Sequence, residues 1–199
     1  MAEPLTFQEL ENRLRTPDAV QADPFPVLHG IASLLASEVD EAKGRELVLR
    51  ALEWRENFKF GTEILESLAR SAGLYPYLSP DALDLRDSIA YEFHRPENSD
   101  EGFVFHREQA EVYRKLMAGD SVILSAPTSF GKSRIIDAML ATNRYANVAV
   151  IVPTLALIDE TRRRLAKFSE THKVITHSSQ KLSERNIFVL TAERAVAIK

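Results

Sequence analysis

The chain of 199 residues has no cysteine. That excludes a disulfide framework and any thiolate metal site. It has no apolar run near the ~20 residues that a membrane span needs, so no membrane contact is expected. Its opening, Met-Ala-Glu-Pro, carries neither a basic segment nor an apolar one, and a cytoplasmic protein is the expectation. The five histidines, His29, His94, His106, His172 and His177, are scattered and lack metal-ligand spacing. No internal repeat is visible at the usual lengths. What remains is an ordinary globular composition, 45% hydrophobic and 27% charged, with apolar material for one large or two small cores.

Charge divides the chain. Residues 1–100 carry 10 Lys and Arg against 19 Asp and Glu, a balance of −9. Residues 101–199 carry 15 against 10, a balance of +5, and the two make the net −4. The second half is the candidate for contact with a polyanion.

Residues 4–93 read as helices. Phe7, Leu10 and Leu14 form one stripe. Val27, Leu28, Ile31, Leu34, Leu35 and Val39 form a second, which Gly44 is expected to break. Leu47, Ala51, Trp54 and Phe58 follow at i, i+4, i+7 and i+11, then Ile64, Leu65, Leu68 and Ala69, ended by Gly73. Ser79-Pro80 reads as a helix start, with Ala82, Leu85, Ile89 and Phe93 as the buried side. The polar stretch Arg95 to Gly102 is the expected boundary, giving a helical accessory domain over 1–98 and a second domain over 99–199.

The second domain is organised by one stretch. Ser121 to Ser125 reads as a short buried strand. It leads into Ala126-Pro127-Thr128-Ser129-Phe130-Gly131-Lys132-Ser133, and Ile135, Ile136, Met139 and Leu140 then recur at helical spacing. Strand, loop and helix in that order are the setting of a phosphate-binding loop, here with Ala126 where the first glycine is usual. Loop amides and a helix N-terminus make an anion site. Lys132 adds a point charge, and the Ser133 hydroxyl can ligate a Mg²⁺ that bridges the same phosphates. Apolar runs at Asn147–Val152, Lys173–Thr176 and Asn186–Leu190 alternate with helical stretches. The expectation is an α/β domain with a parallel sheet and ligands at the carboxyl ends of its strands. Thr154 and Thr191 follow two such ends and can hold strand phosphates. Arg162, Arg163 and Arg164 lie ~100° apart around one helix, and a solvated basic face explains them as well as strand contact does.

These motifs together resemble superfamily 2 DEAD/DEAH box helicases. The 126–133 loop looks like motif I, Ala-Pro-Thr-x-x-Gly-Lys-Ser/Thr. His106-Arg107-Glu108-Gln109 resembles the Q motif, which implies that Gln109 reads an adenine edge. Val152 to Glu160 resembles motif Ia, and Leu190-Thr191-Ala192-Glu193-Arg194 resembles motif Ib, with Ala192 in place of proline. With its acidic helical leader the chain looks most like the large helicase subunits of anti-phage systems such as Hachiman. The resemblance implies a RecA-like fold, ATP and Mg²⁺ as cofactors, catalytic roles for Lys132 and Ser133, and a nucleic-acid strand, DNA favoured over RNA, at Thr154, Arg162 and Thr191. It also implies a partner effector, a nuclease, on the helical domain. The DExH box and second RecA-like domain of the family are not met before Lys199. The chain therefore reads as the N-terminal piece of a longer helicase, expected to bind nucleotide weakly and not to turn it over. Two other readings stay open: a non-catalytic docking module of a defence complex, and another P-loop enzyme such as a kinase, which leaves motifs Ia and Ib unexplained.

Overall fold

A computed structural model describes residues 5–98 and 102–197. The chain groups into two units. One runs up to Arg95 and resumes over Gly102–Ala110, and the other holds Glu111 onward.

The first unit is helical. Its elements are α1 (Phe7–Leu14), α2 (Pro17–Ala22), α3 (Phe25–Leu35), α4 (Glu41–Glu53), α5 (Thr62–Ser71) and α6 (Leu85–Phe93), and α7 (Arg107–Ala118) begins there. α1 starts on a capping box: the Thr6 hydroxyl accepts from the Glu9 N–H, and the Glu9 carboxylate accepts from the Thr6 N–H at 2.8 Å. The stripes read from the sequence supply the core, with Leu10, Leu28, Ile31, Leu47, Ala51, Phe58, Leu65 and Ala69 all buried. Each is an apolar residue at helical spacing, so burying one turn buries its neighbours.

Three expectations fail here. Gly44 does not break a helix. It lies buried inside α4, and a Cβ there would stand 2.8 Å from the Leu35 backbone nitrogen. The glycine lets α3 and α4 approach closely. Val39 and Trp54 fall outside the stripes: α3 stops at Leu35, α4 stops at Glu53, and both side chains are exposed. α6 is rotated from its expected face. It begins after Asp84, whose carboxylate accepts from the Asp87 N–H at 2.8 Å, and only a 3₁₀ turn follows Ser79. Asp87 pairs with Arg70 of α5, Tyr91 is buried one turn on, and the His94 ring stacks on Tyr75 at 3.6 Å between centroids. That polar and aromatic stripe turns Leu85, Ile89 and Phe93 to solvent, 80%, 53% and 66% exposed. Hydrophobic spacing alone missed this because the ion pair partner lies on another helix.

The second unit is α/β. α8 (Lys132–Ala141) leads to β1 (Asn147–Ile151), α9 (Leu155–Leu165), β2 (Lys173–Ile175), β3 (Asn186–Leu190) and α10 (Ala192–Ala197). The sheet has the order β1-β3-β2 and is parallel throughout, with Ile151 opposite Leu190 and Ile175 opposite Phe188. Ile187 and Val189 of β3 share one face with Val148 and Val150 of β1, and Leu140, Ile158 and Leu165 of α8 and α9 cover it. The arrangement is that of a partial RecA-like domain. One expectation fails. Residues 121–125 form no strand, and Ile123 is fully exposed. An apolar run becomes a strand only when a neighbour completes its ladder, and none does so among the described residues.

Alanine at Gly44 is expected to destabilise the first unit. Helix propensity would favour it by about 1 kcal/mol. Overpacking against Leu35 opposes that with about 1–3 kcal/mol, leaving a net loss of up to about 2 kcal/mol in urea unfolding.

Candidate functional site

The loop before α8 is built from local rules. Pro127 is extended, and Thr128–Phe130 makes a single 3₁₀ turn closed by the Phe130 N–H on the Pro127 carbonyl at 3.1 Å. Gly131 then takes φ 79° and ψ 32°, a left-handed geometry that costs a side chain dearly, and delivers the chain into α8. Lys132 is the first residue of that helix, and its ammonium folds back over the loop. It donates to the Ala126 carbonyl at 2.7 Å and the Pro127 carbonyl at 2.8 Å. Ser133 follows, solvent-exposed, in the first turn. That turn holds no acidic residue to offset the positive end of the helix. The loop thus gathers an ammonium, a helix N-terminus and an exposed hydroxyl in eight consecutive residues.

Thr154 and Thr191 stand at the ends of neighbouring strands. β1 and β3 pair up to Ile151 and Leu190, and the Val152 N–H extends the ladder to the Leu190 carbonyl at 2.8 Å. Both threonines are helix starts. The Thr154 hydroxyl caps α9 by accepting from the Leu157 N–H at 3.3 Å. Thr191 is buried, and its hydroxyl bonds the Glu193 carboxylate. That carboxylate is held below its usual range first by its own backbone N–H and then by Thr191.

The three arginines separate. Arg162 and Arg163 both clasp Asp159 within α9, at 2.8 and 2.9 Å. The Asp159 carboxyl is lowered, chiefly by the Arg162 hydrogen bond and then by the Arg163 charge. Arg164 turns instead to α8, where it pairs with Asp137. The i, i+3 and i, i+4 spacing of Asp159 to Arg162 and Arg163 was there to read. The pairing of Arg164 with Asp137, 27 positions apart, had no local signal.

Gln109 belongs to the first unit, while the loop belongs to the second. Gln109 is buried, and its side-chain oxygen accepts from the His106 N–H at 3.0 Å as α7 starts. Glu108 beside it is ion-paired to Arg45. Burial would raise the Glu108 carboxyl, but the Arg45 hydrogen bond and charge outweigh it and lower it. No group of three or more His, Asp or Glu is arranged to hold a metal among the described residues. None of their helices is long and apolar enough to cross a membrane.

Residues 106–199 match the DEAD/DEAH box helicase family. They belong to it. Residues 1–88 match the family described as the anti-bacteriophage protein B N-terminal domain. A relative is anti-bacteriophage protein B of Escherichia coli strain K12, 42% identical over 174 residues. That alignment covers 85% of this chain and 24% of the relative, so the chain spans about a quarter of that protein's length. No solved structure matches the chain. The DEAD/DEAH assignment fits a loop of this geometry followed by a parallel sheet.

Alanine at Gly131 must hold φ near 79°. The expected loss is about 1–2 kcal/mol of stability in the second unit, read by urea unfolding.

Proposed function

We propose that this chain is the part of an ATP-dependent nucleic-acid helicase or translocase that receives the nucleotide and begins the grip on the strand, and that it acts in phage defence. The observation that supports this most is Lys132. Its ammonium is already gathered over the 126–131 loop by two carbonyls at the mouth of α8. A phosphate brought there would offer that cation a stronger, charged acceptor.

The residues present fit magnesium-ATP. The main-chain amides of Thr128–Gly131 and the α8 N-terminus would cradle its β- and γ-phosphates. Lys132 would pair with them, and the Ser133 hydroxyl would hold the Mg²⁺. The bound nucleotide supplies a phosphoanhydride whose hydrolysis can drive motion. Lys132 and Ser133 position charge against the phosphates. Water attack belongs to residues the described part of the chain does not contain.

Thr154 and Thr191 are the proposed strand contacts. They follow the ends of two adjacent strands, and each opens a helix. Helix N-termini favour phosphate. Strand phosphates would replace the Leu157 and Glu193 partners of these hydroxyls. Arg162 lies further along α9 and is already half neutralised by Asp159. DNA is the proposed strand. The helical unit is proposed to dock a protein partner, an effector nuclease, and the outward Leu85, Ile89 and Phe93 of α6 favour that role. The same face is the one observation favouring the second reading, in which the chain is a docking module and the loop is idle.

One experiment separates them. In the full-length protein, Lys132→Ala is expected to lower strand-stimulated ATPase by at least about 100-fold, the scale of losing one fixed charge donor at a transition state. Protection of cells against phage should fall with it. Full protection with Lys132→Ala would leave only the docking reading. Asp159→Asn releases Arg162 and Arg163 together. Strand affinity should rise about 2- to 5-fold, with a steeper salt dependence by about one to two counterions, measured by fluorescence anisotropy.

A further inference from the structure

We propose that Asp137 and Arg164 form the link by which a bound strand acts on the nucleotide loop. They are positioning residues and touch neither ligand. The inference rests on the function proposed above.

The argument starts from where the two helices begin. α8 opens at Lys132 and Ser133, so its first turn is the proposed phosphate site. α9 opens at Thr154, the proposed strand contact. Each helix therefore carries one site at its N-terminus. A rigid body that bears a ligand at one end moves as a whole when the ligand is gripped.

Arg164 joins the two. Its guanidinium pairs with the Asp137 carboxylate and also donates to the Ser133 carbonyl at 3.3 Å. It thus reaches the backbone of the residue proposed to ligate Mg²⁺. Lys167, one turn on from Arg164, holds the other Asp137 oxygen at 3.2 Å. Asp137 is 9% exposed, so the carboxylate is largely desolvated and depends on these two cations. Elsewhere on α9 the side chains of Ile158 and Leu165 pack into the apolar cluster with Leu140 of α8, a contact without direction. The ion cluster adds a contact with direction.

The neighbouring arginines show the contrast. Arg162 and Arg163 pair inside their own helix, with Asp159. Of this triplet, Arg164 is the residue that crosses to α8. One guanidinium nitrogen of Arg164 holds the Asp137 carboxylate and the Ser133 carbonyl at once, through its two N–H groups.

A shift of α9 on strand binding would therefore pull on Asp137 and on the Ser133 carbonyl. It would change the geometry at Lys132 and Ser133 without altering either residue. The reverse also holds: nucleotide in the loop would bias α9 toward its strand-bound position, because binding coupling is reciprocal.

The test uses the full-length protein with Arg164→Gln and Asp137→Asn. Arg164→Gln leaves Lys167 on Asp137, so the fold survives if the second variant does not. Four quantities are read: affinity for a fluorescent ATP analogue with and without single-stranded DNA, and ATPase rate with and without it. Without DNA, affinity and rate should stay within about 2-fold of wild type, while stimulation by DNA falls about 10-fold and the gain in nucleotide affinity on DNA binding disappears. Unchanged stimulation in a folded Arg164→Gln protein overturns the link. So does a parallel fall of unstimulated and stimulated rates, which would mark the pair as a fold contact only. Wild-type protein that neither binds nor hydrolyses ATP overturns the parent function and this inference together, and is told apart by the wild-type arm alone.

Discussion

A single ammonium shapes the functional end of this protein. Lys132 spans back across the loop that precedes it and holds the carbonyls of Ala126 and Pro127. The Pro127 carbonyl turned toward the lysine leaves the Thr128 N–H of the same peptide turned the other way, since the peptide unit is planar. The left-handed Gly131 allows the reversal, because only a residue without a Cβ takes that turn freely. The loop, its cation and the start of α8 are one structure, and displacing the lysine would loosen all three.

The strand ends show a second economy. Thr191 is the first residue after β3, and Thr154 follows β1 by three residues. A hydroxyl at that point satisfies a helix terminus that would otherwise carry unpaired amides. The same position is the one from which a phosphate would be reached. At Thr154 capping and the proposed phosphate contact would draw on the same oxygen. Ion pairs then sort the basic residues of α9 into those that stay within the helix and the one that crosses to α8.

The helical unit owes its core to spacing and its surface to charge. Leu10, Ile31, Leu47, Phe58 and Leu65 follow helical periods and are all buried. The exceptions have physical causes. α6 faces the other way because Asp87 must meet Arg70, and a buried carboxylate without a cation is worse than three exposed apolar side chains. Gly44 reads as a breaker in isolation, yet it serves close packing, because its missing side chain matters only once α3 is beside it.

The sequence by itself determined the helix stripes, β3 to the residue, β1 and β2 to within one, and the loop with Gly131, Lys132 and Ser133 in their order. Those features are local: a period, a cap or a turn is decided by residues within a few positions of one another. Only the tertiary structure decided that 121–125 stands outside the sheet, that Leu85, Ile89 and Phe93 face solvent, and that Arg164 leaves its neighbours for Asp137. Each depends on a group far along the chain, and neither strand pairing nor charge pairing has a sequence period by which the partner can be found.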